Sequence, residues 1–248
     1  MKLIVTNDYD EMSAQAAEIV VALIEQNPRA TLGLTTGNSP VGLYRNLVER
    51  YQAGTLALNE IRVFCTEEYL GSSPHDPFGL FAWLHREFIL PCHLPTEHVF
   101  RLRGEHAEPQ LACMEFDTQI QSCGGLDLIV ESIGLNGHIG FNEPGSPPDA
   151  PTRILALMND TLEYNANYWG ASVPRYGLTI GLRTILTAKS ILLLVAGQAK
   201  AEPLARALTG PVTPEMPASI LQGLPNLVVV ADSAAASLLA HEGIRHVG

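Results

Sequence analysis

Residues 126–145 read LDLIVESIGLNGHIGFNEPG. The first eight, 126–133, make an apolar run of strand length that stops at Gly134. The next twelve, 134–145, set Asn136, His138, Asn142 and Glu143 among four glycines. Glycine permits backbone angles and close approaches that other residues forbid, so this loop reads as a wrapper for something small. His138 and Glu143, five positions apart, are the residue types of a proton-handling pair. The competing reading is a tight structural turn whose histidine bonds only backbone.

Outward from that run, short apolar segments alternate with longer amphipathic ones. Strands are expected at residues 2–5, 31–34, 62–66, 126–133, 190–196 and 227–231. Between the first two, Met12, Ala16, Ile19, Val20, Leu23 and Ile24 repeat at helical spacing, and Asp8 with Glu11 suits a capping box. A second helix should start at Ser39-Pro40, serine as N-cap and proline next, burying Tyr44, Leu47, Val48 and Tyr51. Further helices are expected near 80–88, 108–123 and 234–240. Strands joined by helices need crossover connections. The expected fold class is therefore α/β: a doubly wound, mainly parallel, Rossmann-like sheet with helices on both faces. With no linker, low-complexity stretch or internal repeat, residues 1–248 read as a single domain.

The chain is 46% hydrophobic and 17% charged, ample material for a buried core. A net charge of −11 without any cluster of Lys and Arg argues against nucleic-acid binding. No apolar run approaches bilayer-spanning length, and the start, MKLIVTNDYDEMSAQ, is unlike a signal peptide. No membrane association and a cytoplasmic location are the expectations. Cys65, Cys92, Cys113 and Cys123 are scattered without a CxxC pair, so neither a disulfide framework nor a metal site is expected.

In an open parallel sheet, ligands bind beyond the carboxyl ends of the strands. Four unusual segments fall there: 35–39 (TTGNS), 67–69 (EEY), 134–145 and 197–200 (GQAK). Thr36, Gly37, Asn38 and Ser39 precede a helix N-terminus, where free amides and the helix dipole favour an anion. This is neither a Walker sequence nor GxGxxG, which disfavours nucleotides. Pro203 fits the first turn of a helix, which places Lys200 at that helix entrance as a point charge suited to phosphate. Glu67 and Glu68 diverge in an extended segment, so only one enters the cleft, as a partly desolvated general base. The bland alternatives are a capped turn, a solvated lysine and an acidic surface turn.

Assembled, these residues resemble the glucosamine-6-phosphate deaminase family, within the glucosamine/galactosamine-6-phosphate isomerase group. The resemblance runs through LGLTTGNSP (32–40), VFCTEEYLG (63–71), GGLDLIVESIGLNGHIGFNEPGS (124–146), TRILAL (152–157), VPRYGLTIGLRTIL (173–186), SILLLVAGQAKAEPL (190–204) and PASILQ (217–222). It implies that Thr36, Gly37, Asn38, Ser39 and Lys200 hold a sugar 6-phosphate. It also implies that His138 assists opening of the pyranose ring, oriented by Asn136 and Glu143. Glu67 would carry a proton between C2 and C1 of the open chain, after which water displaces ammonia to give fructose 6-phosphate. That chemistry calls for no metal and no redox cofactor. The implied partner is a small-molecule sugar phosphate, and the implied assembly a monomer or small homo-oligomer.

The chain departs from the family pattern in three places. Glu67 stands where the family usually has aspartate, and its extra methylene moves the carboxylate by roughly an ångström. An arginine that contacts phosphate in the family is absent before VPRYGL, leaving Arg175 or Arg183 to replace it. The long tail of allosteric hexameric members is missing and Leu155 replaces an activator-site lysine, so no activation by N-acetylglucosamine 6-phosphate is expected. The alternatives are a galactosamine-6-phosphate deaminase, a 6-phosphogluconolactonase-type hydrolase and a non-catalytic sugar-phosphate sensor. Segments 145–151 and 165–174 are expected to form a mobile cover over the cleft.

Overall fold

The computed structural model describes residues 1–239 together with Arg245 and His246. The first half runs β1 (Lys2–Thr6), α1 (Tyr9–Gln26), β2 (Thr31–Leu34), α2 (Asn38–Gln52), β3 (Arg62–Cys65), β4 (Glu67–Tyr69), α3 (Leu80–Leu84), β5 (Val99–Arg101) and α4 (Pro109–Ser122). The second runs β6 (Leu128–Ser132), β7 (Arg153–Ala156), α5 (Asn159–Trp169), β8 (Tyr176–Thr179), α6 (Leu182–Leu186), β9 (Ile191–Val195), α7 (Ala201–Thr209), β10 (Leu227–Asp232) and β11 (Arg245–His246). Eight strands form one sheet in the order β11-β1-β10-β9-β6-β2-β3-β5. Every pairing in it is parallel.

Strands buried on both faces lose the polar alternation of a half-exposed strand. In β9, ILLLV, all five residues are buried. Leu192 and Leu194 join the core beneath α1, α2 and α3, while Ile191, Leu193 and Val195 join the core beneath α4, α6 and α7. Truncating any of these leucines to alanine would cost about 2–5 kcal/mol. The helices fit the same two layers. α1 buries Met12, Ala16, Val20, Val21 and Ile24, and α2 buries Leu43, Tyr44 and Leu47.

Local chemistry shifts some boundaries. Asp8 accepts the Glu11 amide as an N-cap should, but Glu11 reaches back to the Asn7 amide, one residue earlier than a capping box requires. α2 begins at Asn38 with Gly37 as N-cap, so Ser39 lies inside the helix and its hydroxyl bonds Ser132 Oγ at 3.0 Å. The helix expected at 234–240 is instead a run of turns over residues 233–238, and Ala240 lies outside the described residues. There the Asp232 carboxylate accepts the Ala235 amide and closes a turn.

A second, antiparallel sheet of order β4-β8-β7 was not anticipated. Only Thr66 separates β3 from β4, so the chain leaves the main sheet and pairs with β8 within one residue. Glu67 then lies opposite Thr179, and Glu68 opposite Leu178. Among the described residues, no helix is long and apolar enough to cross a membrane.

Candidate active site

From β2 the chain winds outward to β3 and β5, whereas β6 returns beside β2 and leads on to β9. Loops diverge at such a reversal and leave a crevice at the carboxyl ends of the strands. A cleft occupies that point. It is lined by Thr36, Gly37, Asn38, Ser39, Glu67, Asn136, His138 and Lys200. The loops that follow β2, β3, β6 and β9 thus converge on one rim. Glu143 does not line the cleft; it is buried behind Asn136.

Side-chain alternation along β4 separates the two glutamates. Glu67 faces the cleft and accepts the hydroxyls of Thr66 at 3.0 Å and Thr35 at 3.2 Å. Burial outweighs those bonds and pushes its carboxyl up to about 7. Glu68 turns away from the cleft and accepts the amides of Tyr69, Leu80 and Phe81, which ties β4 to the start of α3. Burial pushes Glu68 up to about 7 as well, against the pull of those three amides.

Opposite them, a chain of bonds orients His138. The Glu143 carboxylate can only accept, so it draws the Asn136 amide nitrogen, at 2.8 Å. Asn136 Oδ1 is thereby turned toward His138 Nδ1, also at 2.8 Å. An amide oxygen accepts, so Nδ1 carries the ring proton and Nε2 keeps its lone pair. Burial alone would raise the Glu143 carboxyl, but the nearby His138 ring, whose Nδ1 lies 3.5 Å from Glu143 Oε2, together with Thr161 and the Met158 amide outweighs it and holds it at about 2. Gly134 makes the ring position feasible, since a Cβ there would lie 2.2 Å from His138 Cε1.

The third part is a candidate anion cradle. α2 starts without a side-chain cap after Gly37, whose φ is 107°, so the first amides of the helix stay free of side-chain partners. Lys200 is the N-cap of α7; its Nζ donates to the Ile133 carbonyl at 2.6 Å and lies 5.3 Å from the Tyr164 ring centroid. Burial pulls its ammonium down to about 8. Asn38 Nδ2 donates to the Tyr164 hydroxyl, which brings α5 over the cradle.

Lys200 is the one lysine or arginine lining the cleft among the described residues; neither Arg175 nor Arg183 lines it. Arg183 lies 3.7 Å from Asp117 instead. Of the two expected covers, Asn165, Tyr168 and Trp169 of α5 line the cleft, whereas no residue of 145–151 does. Gly145 is tied to the Pro214 carbonyl, away from the opening. Among the described residues, no group of three or more His, Cys, Asp or Glu could hold a metal ion. Sequence reasoning gave no role to Thr35 and Thr66, although both lie in the segments it singled out, and it missed Thr161, which lies in no motif. It also missed Glu131, whose signal was a carboxylate inside an apolar strand.

Residues 7–229 match the family model for glucosamine-6-phosphate isomerases/6-phosphogluconolactonase. A glucosamine-6-phosphate deaminase of Lysinibacillus sphaericus is 39% identical over 232 residues, covering 93% of this chain and 98% of the relative. A solved structure of a monomeric glucosamine-6-phosphate deaminase superposes with a TM-score of 0.93 at 35% identity, covering 96% of this chain and all of that one. The 6-phosphogluconolactonase from Trypanosoma cruzi, at 17% identity and TM-score 0.75 over 96% of this chain and 97% of its own, shares the fold alone. The chain belongs to the glucosamine-6-phosphate isomerase/6-phosphogluconolactonase family.

Proposed function

We propose that the protein converts glucosamine 6-phosphate and water to fructose 6-phosphate and ammonia. The observation that carries this reading is Glu67: a buried carboxyl facing the cleft, with its proton affinity raised to the neutral range. A base poised near neutral pH can both take and return a proton in one active site. The sugar phosphate lies with its phosphate on the free amides of α2, Ser39 and Lys200. His138 Nε2 then accepts the anomeric hydroxyl proton and delivers a proton to the ring oxygen as the pyranose opens. Glu67 removes the C2 proton of the open-chain aldose and returns it at C1, while a proton passes from the C2 amino nitrogen to O1, leaving an imine at C2 and a hydroxyl at C1. Water adds to C2, ammonia leaves, and the ketose remains.

The glutamate that replaces the family's aspartate suits this role here. Thr35 and Thr66 grip its carboxylate from β2 and from the β3–β4 link, so the longer side chain is held at its tip. Purified protein should release ammonia from glucosamine 6-phosphate, and in D2O the product should carry deuterium at C1 in the turnovers where the Glu67 proton exchanges with solvent before it is returned. Galactosamine 6-phosphate and 6-phosphogluconolactone are the comparison substrates. A folded protein that releases no ammonia from either amino sugar removes the proposal.

A further inference from the structure

Glu131 is a second buried carboxyl behind the cleft, and the proposed mechanism gives it no role. It shares its face of β6 with Ile129 and Ile133 and is wholly buried. Its Oε2 accepts the Gly140 amide at 3.1 Å, while Oε1 has no hydrogen-bond partner. From the other side, a Cβ built on Gly140 would lie 3.0 Å from Glu67 Oε1. Gly140 is therefore wedged between the two carboxyls, with no room for a side chain on the Glu67 side.

Two buried carboxyls flanking one glycine resist ionising together, because like charges interact strongly away from water. The titratable groups whose charge acts with that of Glu131 are Glu67 from β4 and, from the other side of the sheet, the Tyr44 phenol of α2; neither is a cation. Glu67 has two hydroxyl donors and an opening to the cleft, whereas Glu131 has a single amide. The negative charge belongs on Glu67 and the proton on Glu131. Burial and the Glu67 charge both push Glu131 well above the usual carboxylate range.

We propose that Glu131 is a positioning residue for Glu67: kept protonated, it anchors Gly140 behind the Glu67 carboxylate and leaves Glu67 the one charge of the pair. The role rests on the reading of Glu67 as proton carrier; the protonation state does not. Ionisation of Glu131 at higher pH would place a second charge behind Glu67 and disturb it, giving kcat an alkaline decline.

Infrared spectra of the ligand-free protein at mildly alkaline pH, above the titration of Glu67 and Glu68, test the proton directly. A neutral-carboxyl stretch that shifts in D2O is expected in wild-type protein and in Glu67→Gln, and is lost in Glu131→Gln. Its absence from wild-type protein, or its survival in Glu131→Gln, overturns the proposal. The kinetic arm uses Glu131→Leu, which removes the acceptor for Gly140; kcat should fall about tenfold or more with little change in KM. Glu131→Gln keeps an acceptor but cannot ionise, and should lose the alkaline decline in kcat. Wild-type kcat and pH profile in both variants also overturn it. If Glu131→Leu does not fold, Glu131→Gln and the infrared band decide. A protein without amino-sugar activity would still show the band, so the two failures are distinguishable.

Discussion

Glu67 and Glu68 are neighbours on β4 that point to opposite sides of it, one into the cleft and the other onto the first amides of α3. Equal burial and equally raised proton affinities therefore serve different ends. Glu67→Gln keeps the shape and removes the base, so kcat should fall by about 10²–10⁴ with KM little changed. Glu68→Gln leaves the chemistry in place but cannot satisfy three amides, and should lower stability by about 1–3 kcal/mol. Steady-state kinetics and thermal melts on the pair separate the two roles. Equal kcat losses in both variants would contradict this division.

The raised Glu67 titration also links stability to pH. A carboxyl at about 7 in the folded chain and 4.5 when unconstrained binds its proton more tightly when folded. Its contribution is fully present below about pH 4.5 and is lost as pH rises through 7. Each tenfold gain in proton affinity is worth about 1.4 kcal/mol, so the loss for Glu67 is on the order of 3 kcal/mol. Glu67→Gln stays neutral and escapes it. At about 2–4 °C per kcal/mol, its Tm should exceed wild type by roughly 6–12 °C at pH 8. The gap should close near pH 5; a gap that is the same at both pH values would rule out this linkage.

The strands of the main sheet were legible because burial on both faces removes polar alternation: ILLLV in β9 has no other reading. β4 was not, since three residues containing two glutamates look like a solvated turn until Thr179 and Leu178 are placed opposite them. α5 was hidden by its composition, NDTLEYNANYW, which buries only Thr161 and so shows no apolar stripe. The site was largely readable because glycines and small polar residues leave a mark wherever a strand ends. Arg183 failed as the replacement phosphate ligand because Asp117 lies beside it, a pairing no local pattern encodes. Glu131 was read past for the opposite reason: one carboxylate in LIVES does not interrupt the look of a buried strand.

With no arginine lining the cleft among the described residues, the proposed function leaves the phosphate charge to Lys200. A hydrogen bond to a charged group is worth about 1.5–3 kcal/mol, so Lys200→Met should raise KM by roughly 10–100-fold. Burial holds the ammonium at about 8, so the free protein loses this charge as pH rises through that value. KM should climb above about pH 8 in wild type and should not do so in Lys200→Arg, whose guanidinium stays charged. KM values measured across that range in both proteins check this; parallel curves would assign the alkaline change elsewhere.

Gly134 and Asn136 both act on the His138 ring, one by leaving room for it and the other by accepting from Nδ1. Gly134→Ala places a methyl 2.2 Å from Cε1 and forces the ring to turn, with no positive φ at that glycine for alanine to strain. The cost should appear in catalysis, at roughly a hundredfold, and hardly in Tm. Asn136→Ala removes the acceptor that sets the tautomer and should cost a similar factor. Because each change disables the same ring, the double variant should be little worse than the poorer single one. Fully multiplicative losses in kcat would mean that the two residues act on different steps, and His138 would not be their common target.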